Sequence, residues 1–220
     1  MHVAEAVATR RSIRAFLDTP VPFETIRRVL DRARMAPSGC NYQPWEATVL
    51  AGEPLISLQR TLLASEPDDP QEYDFSAPGQ FPKYRERFSS LGASMYGALG
   101  IGRGDGETRQ KFKQRNLVSF GAPVLLLSHF PKFMGPPQWS DVGMWLQTIM
   151  LLLRDEGLDS CPQEWMGVFG RTIKRQLGLS EDILLFCGLA IGWRDTDAEA
   201  NRFARERVPL TEQVNFRGFD

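Results

Sequence analysis

The sequence predicts a single domain of the α+β class, and three features of its apolar pattern support that prediction. Residues 122–130 and 182–193 are nearly continuous apolar runs, which is typical of strands buried on both faces of a sheet. Residues 138–157 instead repeat apolar side chains at helical spacing and end at a glycine. With 220 residues, 42% of them hydrophobic, the chain is long enough for one sizeable core.

The N-terminal part of the chain is predicted to contain three helices and one strand. Pro22 and Pro37 bracket the second helix, in which apolar residues recur every three or four positions. The strand is rich in β-forming residues and is closed by Gly52. In chain order, these elements are predicted at residues 2–11, 21–39, 45–52 and 53–65.

The middle of the chain is predicted to leave the sheet as a helical excursion at about 53–116. After its first helix come a loop rich in Pro, Asp and Gln, an aromatic helix, a glycine-rich break and a charged helix, at 66–82, 83–100, 100–106 and 107–116. We expect residues 66–116 to form a lid that selects substrates, because such segments commonly carry specificity.

The C-terminal half is predicted to start with the long core helix. Asp141 is expected to cap its N-terminus. A shorter helix is predicted near 167–177, ahead of the second buried strand. Residues 205–220 have a β-like apolar pattern without a neighbouring strand in the sequence, so we expect them to pair at a distance. The apolar stripe of the core helix is predicted to consist of Val142, Trp145, Ile149 and Leu153.

Composition argues against several classes of function. A formal net charge of -1 gives no global attraction to nucleic acid or to a membrane surface. The densest apolar stretch, 143–153, is too short and interrupted to span a bilayer. The first twenty residues lack the apolar segment of a signal peptide, so a cytoplasmic location is expected. Three widely spaced cysteines match no zinc spacing, which favours reduced thiols and no metal site.

An arginine-rich segment follows the first helix. Arg10, Ser12 and Arg14 are spaced two apart, so an extended backbone would place them on one side and Ile13 on the other. Two guanidinium groups and a hydroxyl on one edge suit a phosphate, because Arg offers paired donors to anionic oxygens. Arg11 would face elsewhere, for example toward a carboxylate. Taken alone, the segment is more typical of a solvated charged face.

Two further segments carry polar side chains that suit a ligand. Arg205 and Arg207 repeat the arginine pair near the C-terminus. Ser38, Asn41 and Gln43 lie on the segment "PSGCNYQP", which is fenced by prolines and has no acid or base. Carboxamides offer both donors and acceptors, so they can meet the edge of a neutral heterocycle such as a flavin pyrimidine. Alone, this segment is more typical of a polar turn that satisfies its own backbone.

Taken together, the motifs of this chain resemble those of the FMN-dependent nitroreductase family. The resemblance covers nearly the whole chain, and its strength lies in the order of the motifs rather than in any one of them. The segments that carry it are "RRSIRAF" at 10–16, "APSGCNYQPW" at 36–45, "FGAPVLLL" at 120–127, the run at 141–165, and "GLAIGWRD" with "RERVPL" near the C-terminus.

The resemblance implies a fold and an assembly. The fold is the nitroreductase-type three-layer α/β/α arrangement, with a central mixed, mostly antiparallel sheet flanked by helices. Residues 1–220 would form one such domain. A domain-swapped C-terminal arm at about 206–220 would wrap the partner in a homodimer, with FMN at the subunit interface.

The resemblance also implies which residues bind the cofactor. One subunit would hold the FMN phosphate, with Arg14 near the ring or the phosphate, and the other subunit would supply the amide segment. A strip after the core helix would pass along the flavin ring, with a backbone N–H near N5 mattering more than any side chain. Gln147 is a weaker candidate. The residues carried over are Arg10, Arg11, Ser12, Arg14, Arg205 and Arg207; Pro37, Ser38, Asn41 and Gln43; and Pro162, Gln163 and Glu164.

The resemblance says less about which residues contact the substrate than about those that bind the cofactor. Tyr84 and Phe88 on the excursion, and Phe120 ahead of the buried strand, are the expected substrate contacts. Trp165 departs from the pattern, since several family members have a glycine there. A tryptophan at this position either narrows the pocket over the flavin or turns into the core.

The activity implied is that of an FMN-dependent oxidoreductase. It would transfer hydride from NADH or NADPH, held transiently, through bound FMN to nitroaromatics, quinones or similar electron-poor acceptors by a ping-pong mechanism. No catalytic side chain is expected, because orientation does most of the work. Two alternatives stay open: a flavin reductase acting on an activated alkene or a carbon–halogen bond, and a flavin-binding protein without turnover. A helical interaction module without cofactor would leave the arginine pairs unexplained.

Overall fold

The computed structural model describes residues 1–68, 70–74 and 77–219, and these form four strands and seven α-helices. Short 3₁₀ turns connect several of them. In chain order the elements are α1 Val3–Thr9, α2 Phe23–Ala33, β1 Glu46–Ala51, α3 Gly52–Leu63, α4 Pro82–Ala98, α5 Gly106–Gln114, β2 Val124–Pro131, α6 Pro136–Asp155, β3 Asp159–Gln163, α7 Gly170–Leu177 and β4 Ile183–Gly192.

The strands form one sheet in the order β1-β2-β4-β3, and all neighbouring strands are antiparallel. An isolated parallel bridge between Ser12 and Ser160 adds the N-terminal segment beside β3. The four strands are antiparallel throughout, and this isolated bridge is a parallel contact outside them, so the mostly antiparallel part of the prediction is confirmed. Strands β2 and β4 lie at its centre, and their nearly continuous burial explains why their sequences are apolar without alternation.

Helices cover both faces of the sheet and produce three layers. On one face α2 and α6 pack against the sheet, and the predicted stripe of α6 is fully or almost fully buried there. On the other face lie α3 and α7, together with Trp165, whose ring packs against their apolar cluster. Trp165 is therefore turned toward the core but is only partly buried. No helix in the described part of the chain is long and apolar enough to cross a membrane.

Two local details differ from the prediction, and a third stays untested within one chain. Strand β3 was not predicted, because "DSCPQ" has no β-like pattern and is a strand only through its pairing with β4. Helix α6 begins at Pro136 after Gly135, so Asp141 lies inside the helix and does not cap it. Residues 205–219 form no strand within this chain and contain only a 3₁₀ turn at Leu210–Glu212, so their pairing at a distance stays a prediction.

The excursion is shorter than the sequence suggested. Helix α3 belongs to the body of the domain, because Leu55, Leu58 and Leu62 are buried in the core. Helix α4 is different: none of its seventeen residues is buried.

Candidate functional site

The Arg10–Arg14 segment runs along β3 in an extended conformation. The Ile13 N–H donates to the Ser160 carbonyl over 3.1 Å. Ile13 is completely buried, whereas Arg10, Ser12 and Arg14 are partly exposed. Ile13 therefore faces the core as predicted, but Arg11 is partly exposed as well, and both Arg11 and Arg14 lie over the Phe203 ring.

The two C-terminal arginines join this segment in space. The Arg205 guanidinium donates to the Ala8 carbonyl over 2.8 Å. Burial lowers the pKa of Arg205, and the neighbouring charges of Arg10, Arg207 and Arg11 lower it further. Burial also lowers the pKa of Arg10, assisted by the charge of Arg207. The Arg205 bond to Ala8 and a bond from Arg11 to the Phe203 carbonyl bring the two sequence-distant arginine segments together.

The cluster is not neutralised by carboxylates. Within the described residues, no Asp or Glu lies at ion-pair distance from Arg10, Arg11, Arg14, Arg205 or Arg207. The expectation that Arg11 faces a carboxylate was wrong, because its guanidinium donates to the Phe203 carbonyl. Converging cations without a counter-ion repel one another, so the cluster suits an anion such as a phosphate.

Asn201 joins the two halves of the arginine cluster and was not predicted. Its side-chain oxygen accepts from the Arg14 N–H over 2.8 Å, and its amide nitrogen donates to the Ala15 and Asp195 carbonyls, each over 2.8 Å. Asn201 is only 6% exposed, so these bonds are made away from water. A buried carboxamide that ties distant backbones has no periodic signal in the sequence.

A second arginine group beside the cluster already shares a buried carboxylate. Asp159 at the start of β3 is buried and accepts from Arg194 over 2.7 and 3.0 Å. It also pairs with Arg154 over 2.9 Å. Because one carboxylate holds both guanidinium groups, Arg194 and Arg154 are structural and the anion-binding capacity rests on the unpaired cluster.

The strip at the end of β3 presents alternate side chains to solvent. Pro162 and Glu164 are exposed, whereas Gln163 is 2% exposed. The Gln163 amide nitrogen donates to the Asn116 carbonyl over 2.8 Å. The expectation that the Gln163 side chain binds the cofactor is therefore corrected. Its carboxamide faces inward and fastens the strip to the turn after α5.

The amide segment is an exposed and tightly constrained turn. Cys40, Asn41 and Gln43 have φ angles of 50°, 57° and 49°, in the left-handed region that side-chain-bearing residues seldom adopt. The Gln43 N–H donates to the Ser38 hydroxyl over 3.0 Å, and the Gln43 amide donates to the Asn41 carbonyl over 3.2 Å. Such conformations persist where the surroundings over-determine them, commonly at ligand sites.

The segment contacts the body of the domain through α6. Pro37, Asn41 and Gln43 are exposed, and Ser38 is half-buried. Gln147 lies half-buried further along α6. In the described part of the chain, no hydrogen bond or ion pair joins this segment to the arginine cluster. One chain thus carries two separate halves of the predicted site.

The three predicted substrate contacts lie in different environments. Tyr84 and Phe88 are 49% and 77% exposed on α4. Phe120 is 2% exposed and packs with Cys161 and Ala190 in a small core cluster. The expectation that Phe120 touches the substrate is therefore corrected: its ring supports the β3 strip from within.

Comparison with known proteins places these features in a family. The model of the Nitroreductase family matches residues 7–193. The "4-nitrobenzoate reductase" of Pseudomonas putida is 36% identical over 215 residues, which covers 97% of this chain and 95% of that protein. The "Chloronitrobenzene nitroreductase" of Comamonas testosteroni is 30% identical over 218 residues, covering 97% and 96%.

Solved structures agree over the entire chain. The FMN and NADPH-dependent nitroreductase NfnB from Sphigopyxis sp. strain HMH has a TM-score of 0.95 and 43% identity, with 100% of both chains covered. The FMN-dependent nitroreductase NfnB from Mycobacterium smegmatis, solved in complex with NADPH, has a TM-score of 0.93 and 30% identity, with 98% of both chains covered. The protein therefore belongs to the nitroreductase family.

Proposed function

We propose that this protein is an FMN-dependent oxidoreductase that transfers hydride from NADH or NADPH to nitroaromatics, quinones or similar electron-poor acceptors. The observation that carries the proposal is the arginine cluster: hydrogen bonds join the segment of Arg10 and Arg11 to that of Arg205 and Arg207, and no carboxylate in the described chain pairs with these arginines. A flavin phosphate supplies the missing negative charge. Relatives named for nitrobenzoate and chloronitrobenzene support nitroaromatics as the acceptor class.

The protein's own residues bind and orient the cofactor. The arginine cluster and Ser12 hold the phosphate, and the exposed carboxamides of Asn41 and Gln43 meet the polar edge of the ring. The strip at Pro162 and Glu164 borders the ring. FMN, when bound, supplies the redox chemistry, so no protein side chain has to act as nucleophile or general base.

A complete site requires two copies of the chain in this proposal. The arginine cluster and the amide segment are separate in one chain, so a homodimer brings the cluster of one subunit to the segment of the other. Strand β1 is an edge strand, and beside it an apolar groove of about 490 Å³ lies between β1 and α2.

The C-terminal arm has the composition to enter such a groove. Leu210, Val214 and Phe216 are exposed on it. We propose that residues 206–220 of one subunit wrap the other. Truncation after Val208 tests this arm and retains Arg205 and Arg207. A shift of the sedimentation coefficient to that of a monomer is expected, and an unchanged dimer would remove the arm from the interface. A cytoplasmic location remains part of the proposal.

The first test of function is optical. The purified protein is expected to be yellow, to bleach when NADH or NADPH is added without oxygen, and to regain its colour on addition of a nitroaromatic or a quinone. A yellow protein that never bleaches would instead indicate a closed flavin site. Colour that returns only with an activated alkene or a halogenated acceptor would replace the acceptor class.

The phosphate assignment has a sharper test in the double variant Arg205→Ala/Arg207→Ala. Each charge-assisted hydrogen bond contributes about 1.5–3 kcal/mol, so FMN affinity should fall by about 100-fold or more. Riboflavin affinity should stay unchanged, because riboflavin lacks the phosphate. Arg202→Ala is the matched control, since Arg202 is already paired with Asp197 and Glu199. Undiminished FMN affinity in the double variant would refute the phosphate site.

A further inference from the structure

Asp141 is a buried acid whose position is unusual. It lies in the second turn of α6, is 4% exposed, and has no cation at ion-pair distance among the described residues. Both of its carboxylate oxygens face one donor, the Gly39 N–H, over 3.2 and 3.3 Å. A buried carboxylate without a cation is costly, so its hydrogen bond to another element calls for an explanation.

The donor belongs to the strained amide segment. Gly39 opens the turn in which Cys40, Asn41 and Gln43 adopt left-handed backbone conformations. Each such residue costs of the order of 1–3 kcal/mol unless its surroundings fix it. The other hydrogen bonds of the turn run within the segment itself, from Gln43 to Ser38 and Asn41. The bond to Asp141 therefore joins the turn to the body of the domain.

A second contact with the same helix fixes the far end of the segment. Trp45 stacks on Trp145 with the ring centroids 6.0 Å apart and the planes inclined by 5°. Asp141 and Trp145 are four residues apart, so they lie on one face of α6. Helix α6 thus grips the turn at Gly39 and at Trp45. The exposed carboxamides of Asn41 and Gln43 project from between these two points.

We propose that Asp141 is a positioning residue for the flavin ring. Its bond to the Gly39 N–H holds the amide segment in the conformation that presents Asn41 and Gln43 to the ring of the cofactor held by the partner subunit. The identity of the ligand in this inference rests on the proposed function. The hydrogen bond between Asp141 and Gly39, called the clamp below, does not depend on it. The positioning role of Asp141 predicts that loss of the clamp affects ring binding and leaves the phosphate contribution intact.

The test uses Asp141→Leu, which removes the acceptor and keeps the same branching at the γ-carbon, and Asp141→Asn, which keeps the volume and one acceptor oxygen and removes the charge. In the flavin-free protein, amide hydrogen exchange across residues 39–43 should be at least tenfold faster in Asp141→Leu and close to wild type in Asp141→Asn. The dissociation constants for FMN and for riboflavin should both rise about tenfold in Asp141→Leu, by the same factor, and recover in Asp141→Asn.

Two further variants provide an independent test of the same hydrogen bond and a control. Gly39→Pro removes the donor instead of the acceptor, and proline is tolerated at the first position of a helical turn. It should weaken both flavins as Asp141→Leu does, so the proposal is testable even if one variant folds poorly. Asp155→Asn is the control, because it removes an exposed charge from the same helix away from the segment.

The outcomes separate the clamp from the function. Unchanged exchange at residues 39–43 in Asp141→Leu would overturn the clamp, whatever the protein binds. Faster exchange with unchanged flavin affinities would overturn the positioning role. A larger loss for FMN than for riboflavin would also overturn it, because the defect would then lie at the phosphate. If no variant and no wild-type protein binds flavin, the proposed function fails while the exchange data still judge the clamp.

Discussion

Two parts of the predicted lid behave in opposite ways. The loop that begins it, residues 66–68 and 70–74 in the described chain, is fastened to the body of the domain by buried ionic and aromatic contacts. Helix α4, which follows, has no buried residue although it is seventeen residues long. Segments that look alike in sequence, polar and outside the sheet, thus differ in what holds them.

The loop is held at three points. Lys174, which is completely buried, pairs with Glu72 over 2.7 Å, and Lys132 reaches the same carboxylate over 3.0 Å. Asp68 accepts from the Arg171 N–H over 2.7 Å and so caps α7. The Tyr73 hydroxyl donates to the Phe186 carbonyl. These contacts fasten this part of the chain to the body of the domain, so we expect the lid to begin after it.

Helix α4 instead offers an apolar stripe to its surroundings. Phe81, Tyr84, Phe88 and Leu91 recur at intervals of three or four residues, and each is at least 44% exposed. Its links to the rest of the chain include an ion pair between Arg87 and Glu212 and an edge contact between Tyr96 and Phe112. The difference leads us to expect that acceptor selection depends on α4, because side chains could change there without disturbing the core.

The largest expected effect is on stability, when the loop at residues 66–68 and 70–74 loses its buried ion pair. Lys174→Met should lower the free energy of unfolding by about 3 kcal/mol, because it leaves the buried Glu72 carboxylate with only one cation. Urea unfolding measures it. Lys132→Met is the matched control: that lysine is 43% exposed, so its loss should cost about 1 kcal/mol or less. Equal effects of the two variants would contradict a buried, Lys174-centred anchor.

Acid should weaken the same anchor. Burial alone would raise the pKa of Glu72, but hydrogen bonds from Lys174 and Lys132 outweigh it and bring the pKa below its ordinary value. A carboxyl with a lowered folded-state pKa stabilises the protein above its unfolded-state pKa, and the contribution disappears as pH falls through the folded-state value. Unfolding measured between neutral pH and about pH 3 should therefore show a loss in wild type that is smaller in Glu72→Gln. Parallel pH profiles would rule out this linkage.

A smaller effect is expected from the exposed helix, and on selectivity rather than folding. Tyr84→Ala/Phe88→Ala should change the ratio of kcat/KM between a bulky and a small nitroaromatic by about tenfold, because two aromatic surfaces are lost. FMN affinity should stay the same. An unchanged acceptor ratio would show that α4 does not contact the substrate.

The smallest effect completes the comparison. Phe88→Ala alone should alter the free energy of unfolding by no more than about 0.5 kcal/mol, since the side chain is 77% exposed. Differential scanning fluorimetry against Lys174→Met gives the contrast directly. A large loss of stability in Phe88→Ala would mean that a second copy of the chain covers this face.

The sequence predicted the elements whose apolar patterns are continuous or periodic. It missed the features that depend on contacts with residues distant in sequence. Strands β2 and β4 and helix α6 have continuous or periodic apolar patterns, so burial could be inferred from them. Strand β3 has no such pattern, because its register is imposed by β4. Asp141 and Asn201 are single buried polar residues whose partners are distant in sequence. The ion pair between Glu72 and Lys174 is also not apparent from the sequence. The sequence alone therefore extends the predicted lid back to residue 66.

The distribution of thiols gives the amide segment a chemical handle. Burial raises the pKa of Cys161 to about 11 and that of Cys187 to about 12, so both are protonated and shielded at neutral pH. Cys40 is exposed, and it sits between Gly39 and Asn41 in the strained turn. A maleimide should therefore modify a single position, and its rate of attachment reports directly whether the turn is open to solvent or covered by cofactor and partner.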